Sequence, residues 1–330
     1  MKAAELKAFG SAPAVVDCVE AEDPGPPASG QVVIEVLAAP INPADLLLIE
    51  GKYATRPPVP APLGIEGAGR VLAVGAGVTG LAVGDLVMSL HRANWAQRLR
   101  LPAELMVKAP TGLDPRQLAM LKVNPATAYL MLKSYRALAP GDWLVQNAAN
   151  SAVGNSVIRL AKARGLHSVN LVRREDAIAP LQAIGADVVL LDGPDVGERV
   201  QAATGGAAIA LAIDAVAGPA TRRLADCLAD DGLVVNYGLL SGAPCELAAE
   251  QAIFRGINLT GFWLAKKMRQ KPFADLQGMY QELMAGLADG SLGVPVEACY
   301  PLADIKQALA HAGRAGRHGK VLLLPNGEIG

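Results

Sequence analysis

Aromatic residues are scarce in this sequence, and its charges nearly cancel. Phe, Tyr and Trp make up 4% of the 330 residues, so the core has to be built mainly from Ala, Val and Leu. The 30 basic and 31 acidic side chains leave a net charge of -1, which gives no electrostatic footprint for nucleic acid or for an anionic membrane surface. Nucleic acid is therefore excluded as an expected partner.

Cysteine is also rare, and long apolar runs are missing. The four cysteines lie far apart without a CxxC pair, at Cys18, Cys227, Cys245 and Cys299. This spacing excludes a disulfide scaffold and a thiolate-rich zinc site, and it favours a reducing compartment. No uncharged apolar run approaches the ~20 residues that span a bilayer, and the first residues show neither a signal-peptide core nor an Arg-rich leader. We expect a soluble, cytoplasmic protein without a membrane partner.

The pattern of apolar residues changes near Trp143. Before it, short runs of β-forming residues such as 31–38 are broken by Gly and Pro, which predicts a β-rich part. After it, near-continuous apolar runs of strand length alternate with amphipathic segments of about 10–15 residues, which is typical of βαβ units. The length fits about two domains. The sequence therefore predicts an α/β fold with a doubly wound parallel sheet near the middle of the chain.

Two glycine-containing segments compete as the turn of a dinucleotide site. The pattern G-x-G-x-x-G occurs at 75–80, but a strand-like run follows it, so no helix N-terminus is available to hold a pyrophosphate. We predict a strand-turn-strand hairpin there. The segment 149–154 breaks the pattern, yet it follows the apolar run WLVQNAA and opens a helix, with small residues in the turn and Gly154 where helix and strand pack. It is the better candidate.

The next apolar run, SVNLVR, ends at Arg173, which lies 19 positions after Gly154. An acidic residue at this place binds a ribose hydroxyl of NAD, whereas Arg173 and Arg174 offer bidentate donors to the 2′-phosphate of NADP. The pattern favours NADPH. The alternative is that both arginines only solvate the loop before the next helix.

Four segments carry a resemblance to a known family: NPADLLLIEGKY at 42–53, VNPATAY at 123–129, QNAANSAVG at 146–154 and LTGFW at 259–263. In this order, over essentially the whole chain, they resemble the zinc-free medium-chain dehydrogenases/reductases. Within that superfamily they resemble the trans-2-enoyl-CoA and enoyl-ACP reductases, with quinone oxidoreductases as near relatives.

The resemblance implies a fold and an assembly. A GroES-like catalytic domain would consist of residues 1–125 and 265–330, and a Rossmann domain that binds NADPH would occupy 126–264. A homodimer would form through the edge strand of the Rossmann sheet, expected in 257–263.

The resemblance also implies the site. The family's proposed catalytic tyrosine falls on Tyr53, for which the alternative is a half-buried loop tyrosine with a satisfied hydroxyl. Asn124 has two interpretations of equal weight: it orients the nicotinamide, or it caps the helix that follows. The implied cofactor contacts are Asn124, Asn150, Ser151, Ala152, Val153, Arg173, Arg174, Glu175, Tyr237, Gly238, Leu239, Leu240, Phe262, Trp263, Leu264, Ala265 and Lys320. Glu175 departs from the family, which has arginine there, and Ala152 replaces its usual glycine.

The expected chemistry is reduction of an activated C=C bond. Hydride attack at Cβ of an enoyl thioester builds negative charge on the thioester oxygen, where a neutral phenol can act as hydrogen-bond donor and acid. We expect NADPH-dependent reduction of an enoyl thioester, with Tyr53 in that role. The enzymatic alternative is reduction of a quinone or of another α,β-unsaturated carbonyl. The alternative in which the protein is not an enzyme is a non-catalytic nucleotide-binding protein.

No metal is expected in the mechanism. Zinc members of the superfamily carry a histidine before the Glu of a GHE segment, and this chain has Gly64-Ile65-Glu66 instead. Without that ligand and without a nearby cysteine, a three-ligand catalytic zinc site is not available. Glu66 is expected to be a structural acid.

Overall fold

The computed structural model describes residues 1–329, and the chain forms two compact units. The first contains Met1–Val123 together with the segment that begins at Gln277, and the second contains Asn124–Leu276. The sequence prediction set domain limits at 125/126 and 264/265, and those limits stay a prediction.

The strands, in chain order within the described residues, are β1 Lys2–Leu6, β2 Val16–Glu20, β3 Gln31–Pro40, β4 Ala61–Pro62, β5 Gly67–Val74, β6 Leu86–Ser89, β7 Arg98–Pro102, β8 Met106–Lys108, β9 Trp143–Gln146, β10 His167–Val172, β11 Val188–Leu191, β12 Ile209–Asp214, β13 Leu233–Asn236, β14 Asn258–Gly261, β15 Val296–Pro301 and β16 Lys320–Leu324. The α-helices are α1 Ala12–Val15, α2 Pro43–Ile49, α3 Pro115–Ala119, α4 Asn124–Ser134, α5 Ala152–Ala163, α6 Ile178–Ala183, α7 Val196–Ala203, α8 Pro219–Asp226, α9 Ala249–Ile253, α10 Leu264–Arg269, α11 Phe273–Ala288 and α12 Ile305–Ala312.

The second unit is built on a parallel sheet with the strand order β11-β10-β9-β12-β13-β14. This order reverses direction between β9 and β12, and ligands of open α/β sheets bind outside the carboxyl ends of the strands at such a switch point. The predicted doubly wound sheet is confirmed. Strand β14, which contains residues of the predicted edge segment 257–263, lies at the edge of the sheet.

Helices cover both faces of this sheet. Side chains alternate between the faces of a strand, and in β10 Leu171 joins an apolar cluster with α7 and α8 while Val172 joins a different cluster with α5 and α6. Since both faces are buried, the strands need to be apolar throughout. This explains the continuous apolar runs after Trp143.

The first unit is β-rich, as predicted. A three-stranded sheet has the order β2-β1-β4, and a seven-stranded sheet has the path β15-β16-β3-β5-β6-β8, with β7 paired to β3. Strands β5 and β6 are antiparallel neighbours, so the segment 75–80 between them lies within a strand-turn-strand connection and the hairpin prediction is confirmed. Across residues 1–329, no helix is both long and apolar enough to span a bilayer.

Candidate active site

The turn between β9 and α5 is the predicted dinucleotide turn. Ser151 caps α5, and its hydroxyl accepts a hydrogen bond from the Gly154 amide at 3.1 Å. Ala148, just before the turn, has a left-handed backbone with φ of 46°. The 12-residue helix therefore begins at the carboxyl end of a central strand. Its first amides point toward the edge of the sheet, which is the arrangement that binds a phosphate group.

Gly154 is required by the backbone of this turn. A Cβ at position 154 would lie 2.4 Å from the carbonyl oxygen of Ala149 and 2.7 Å from its Cα. Because these atoms belong to the main chain, no rotamer change relieves the contact. The sequence predicted that Gly154 lies where helix and strand pack, whereas the close neighbour in the structure is Ala149 of the turn itself.

The two arginines follow the strand next to β9. Strand β10 ends at Val172, so Arg173 and Arg174 lie at the same edge of the sheet as the β9 turn. Arg174 is half-buried and its Nε donates to Asp176 at 3.1 Å. Arg173 is exposed, and no carboxylate within the described residues forms an ion pair with it. Glu175 is exposed in a 3-10 turn.

Tyr237 and the residues after it close the same edge. The Tyr237 amide donates to the carbonyl of Asp214 at 2.9 Å, and its phenol lies near Ser151, the capping residue of α5. Burial raises the pKa of this phenol above its usual range. Leu239 and Leu240 follow with 57% and 59% of their surface exposed, so they extend outward from the sheet edge.

The last predicted segment follows the edge strand. The Phe262 amide donates to the carbonyl of Asn236 at 2.8 Å, and the buried Phe262 ring meets Tyr135 edge to face at 6.3 Å. Trp263 occupies the N-cap position of α10, whose first residues are Leu264 and Ala265. Asn124 is buried as the first residue of α4, and both interpretations of Asn124 stay open.

One residue of this edge was missed in the sequence. Asp214, the last residue of β12, is fully buried and accepts five hydrogen bonds. At Oδ1 the donors are Asn147 Nδ2 at 2.7 Å, Val216 N at 2.9 Å and Ala217 N at 3.0 Å; at Oδ2 they are Thr221 Oγ1 at 2.7 Å and Asn236 Nδ2 at 3.2 Å. A lone carboxylate closing the apolar run IALAID is the signal that was available. Asp214 links the ends of β9, β12 and β13.

Tyr53 belongs to the first unit, in the loop after α2. The helix is fixed at its start by a capping box, in which the Asn42 amide donates to Asp45 Oδ2 at 2.9 Å. The Tyr53 amide donates to the carbonyl of Leu47 at 3.0 Å. The side chain is half-buried, and the guanidinium carbon of Arg92 lies 5.7 Å from the centroid of its ring. The catalytic assignment of Tyr53 stays a prediction.

Lys320 lies in the same unit and is buried at the start of β16. Its amine donates to the carbonyl of Ile41 at 3.2 Å and to Asn42 Oδ1. Burial lowers the pKa of Lys320 to about 8, although Glu66 opposes the shift. The structure thus places Lys320 beside the start of α2, and its predicted cofactor contact stays a prediction.

Glu66 is held by the same cluster. Its Oε1 accepts from Asn42 Nδ2 at 2.7 Å and its Oε2 from the Val123 amide at 2.8 Å. Burial raises the pKa of Glu66 to about 7, with Lys320 opposing. Both oxygens are therefore engaged in holding the backbone and Asn42.

The residues do not fit a metal site. Within residues 1–329, no group of three or more His, Cys, Asp or Glu is arranged to hold a metal ion. Each carboxylate oxygen of Glu66 accepts a hydrogen bond from a protein donor, and Lys320 lies nearby. A zinc ligand would need an oxygen that is free to bind the metal.

Comparison with known proteins places the chain in a family. Residues 152–283 match the zinc-binding dehydrogenase family, and residues 28–110 match the alcohol dehydrogenase GroES-like domain. The chain is 36% identical over 306 residues to the mitochondrial enoyl-[acyl-carrier-protein] reductase of Dictyostelium discoideum, covering 89% of this chain and 85% of the relative. It is 35% identical over 293 residues to the human enzyme of the same name, covering 84% and 76%.

The chain belongs to the mitochondrial-type enoyl-[acyl-carrier-protein] reductase family. This confirms the resemblance to the medium-chain dehydrogenases/reductases, and with it the expected GroES-like and Rossmann fold classes.

Two solved structures extend the comparison to three dimensions. One is Etr1p, a 2-enoyl thioester reductase of Candida tropicalis, in complex with NADP and crotonyl-CoA; it is 25% identical with a TM-score of 0.87, covering 98% of this chain and 99% of that chain. The other is a mycobacterial quinone oxidoreductase, 27% identical with a TM-score of 0.85, covering 98% and 100%. Both near relatives expected from the sequence are therefore found.

Proposed function

We propose that this protein is an NADPH-dependent reductase of trans-2-enoyl thioesters. The observation that carries the proposal is 36% identity to an enoyl-[acyl-carrier-protein] reductase across 89% of the chain. The geometry of the second unit supports the cofactor, because a capped helix N-terminus and two arginines lie at one edge of the sheet.

The residues at the carboxyl edge of the parallel sheet are suited to bind separate groups of NADPH. The amides after Ser151 suit the pyrophosphate, and Arg173 and Arg174 suit the 2′-phosphate. The segments 237–240 and 262–265 complete the proposed set, with Asn124 and Lys320. When bound, NADPH supplies the hydride that adds to Cβ of the substrate.

Tyr53 supplies the proton in this proposal. Its hydroxyl donates a hydrogen bond to the thioester oxygen while negative charge develops there, and the proton passes to Cα. A water molecule then returns a proton to the phenolate. The reaction consumes one NADPH and one proton and leaves a saturated acyl thioester.

The deciding assay follows loss of NADPH with two acceptors. We expect the purified chain to oxidise NADPH with crotonyl-CoA and to do so slowly or not at all with a benzoquinone. The similarity to a quinone oxidoreductase makes quinone reduction the second candidate, and the reverse preference would establish it. Inactivity with both acceptors would favour the non-catalytic interpretation.

Tyr53→Phe tests the proton donor. We expect kcat with crotonyl-CoA to fall by roughly 10²-fold or more, while the Kd for NADPH stays within about twofold because no cofactor contact is removed. Unchanged turnover would remove Tyr53 from the mechanism.

We also propose a homodimer that forms through β14. This strand lies at the edge of the sheet, and Ile253 and Phe254 just before it are 70% and 79% exposed. An exposed edge with apolar side chains beside it suits an interface between two copies. The proposal is supported if the unaltered chain sediments as a dimer and the Phe254→Asp variant sediments as a monomer. A monomeric unaltered chain would contradict it.

We finally propose that the protein acts in the cytoplasm. All four cysteines are free thiols, as suits a reducing compartment. Cell fractionation with an antibody to the native protein tests this, and recovery from an organelle or a secreted fraction would overturn it.

A further inference from the structure

The guanidinium of Arg92 lies over the ring of Tyr53. Its guanidinium carbon is 5.7 Å from the ring centroid, within the range of a cation-π contact. Arg92 is exposed, and within residues 1–329 no carboxylate forms an ion pair with it. The cation is thus available to act on Tyr53.

The loop that carries Arg92 is fixed on both sides. The buried amine of Lys122 donates to the carbonyls of Leu90 at 2.8 Å and His91 at 2.7 Å, and also to Ile65. From the other side, Asn94 Nδ2 donates to the carbonyl of His91 at 2.8 Å. Because these bonds hold the backbone next to Arg92, the side chain starts from a fixed point beside the Tyr53 loop.

Other cations near Tyr53 are engaged elsewhere. Lys52 pairs with Glu50 at 2.9 Å. The guanidinium of Arg56 lies over Phe9 at 5.9 Å, and its Nε donates to the carbonyl of Gly51 at 2.6 Å.

The buried groups near Arg92 do not replace its charge. Burial and Lys122 both lower the pKa of His91, which favours the neutral imidazole. Burial raises the pKa of Asp45 to about 6, and the charge of Arg92 opposes that shift. The cation over the Tyr53 ring is therefore the guanidinium of Arg92.

We propose that Arg92 is a positioning residue for the reduction, acting through Tyr53. The inference rests on the proposed function. When the Tyr53 O–H bond breaks and a C–H bond forms at Cα, negative charge remains on the phenolate. A cation over the ring lowers the free energy of that phenolate more than that of the neutral phenol. Arg92 therefore lowers the barrier to proton donation and fixes the ring.

The test compares Arg92→Gln and Arg92→Lys with the unaltered enzyme, using NADPH and crotonyl-pantetheine, a substrate without the phosphates of CoA. We expect Arg92→Gln to lower kcat by roughly three- to tenfold. Arg92→Lys should retain most of kcat because it keeps a cation. The Kd for NADPH and the circular dichroism should not change, which excludes a folding defect.

Two controls separate this role from others. Lys52→Gln removes one positive charge next to Tyr53 but not the cation over its ring, so kcat should stay within about twofold. In the Tyr53→Phe background, Arg92→Gln should have no further effect on the residual rate.

Three results would overturn the proposal. One is an unchanged kcat in Arg92→Gln. Another is an equal loss of kcat in the Tyr53→Phe background. The third is a raised KM for crotonyl-CoA with an unchanged kcat and no effect on crotonyl-pantetheine, which would make Arg92 a contact for substrate phosphate. If the unaltered enzyme reduces neither thioester, the proposed function fails instead.

Discussion

One buried carboxylate, that of Asp214, organises the carboxyl end of β12. Asp214→Asn keeps the shape of the side chain, and its oxygen can still accept from Asn147 and from the amides of Val216 and Ala217. The new amide nitrogen replaces Oδ2. The Thr221 hydroxyl can turn to accept from it, but Asn236 Nδ2, which was a donor at 3.2 Å, then faces another donor.

The magnitude follows from these contacts. A hydrogen bond to a charged group contributes about 1.5–3 kcal/mol and a neutral one about 1 kcal/mol. The Asn variant weakens the retained bonds and loses one, and the easier burial of a neutral group offsets part of this. We expect a loss of about 2–3 kcal/mol in the free energy of unfolding. Asp214→Ala leaves several buried donors without an acceptor and should cost about 4–5 kcal/mol.

The assay is urea denaturation followed by circular dichroism, combined with amide hydrogen exchange of the peptide that contains 214–221. Exchange at Val216 and Ala217 should accelerate in the Asn variant, because their amides lose a charged acceptor. Asp230→Asn is the matched control. Its side chain is 75% exposed and pairs with Arg255 at 3.2 Å, so the change should stay below about 0.5 kcal/mol. Equal stabilities for Asp214→Asn and Asp230→Asn would refute the assignment of Asp214 as the organising acceptor.

Two further predictions concern the edge of the parallel sheet that carries the Ser151 turn and the two arginines after β10. Gly154→Ala places a Cβ 2.4 Å from the Ala149 carbonyl oxygen, so the turn has to shift and the affinity for NADPH should fall by at least about tenfold. Calorimetric titration with NADPH measures this affinity. Gly278→Ala is the control, because a Cβ at that position meets nothing within 4 Å. Replacing Arg173 and Arg174 by Ala should weaken NADPH binding by roughly 10²-fold and NADH binding by less than about threefold; equal losses for the two cofactors would contradict the assignment to the 2′-phosphate.

The fold of the second unit was predictable because its signal is local and repeated. Six apolar runs with helices between them determine a parallel sheet that is covered on both faces. The turn at Ser151 and the arginines after β10 were predictable for the same reason, since each lies at a fixed place relative to a strand. The G-x-G-x-x-G segment at 75–80 shows the value of that context, because the strand-like run after it is enough to exclude a dinucleotide turn.

The polar contacts that hold the site were not predictable, because their partners are distant in sequence. Asp214 accepts from Asn147, 67 positions away, and Lys320 donates to Asn42 across 278 positions. No periodicity of the apolar residues records such pairs. The position of Arg92 over Tyr53 was missed for the same reason, since the loop after β6 and the loop after α2 are adjacent only in the folded unit.

Lys320 shows how a family resemblance and a structure answer different questions about one residue. The resemblance assigns it to the cofactor, whereas the structure shows its amine donating to the Ile41 carbonyl and to Asn42 Oδ1. An ammonium group has three donors, so these bonds leave one N–H for a further partner. The two roles are compatible only if the side chain keeps its place at the start of α2 while the third donor is used. That geometry makes Lys320 part of the support of the Tyr53 segment, because Asn42 caps the helix that leads to Tyr53. A substitution of Lys320 would therefore act on the Tyr53 loop through Asn42.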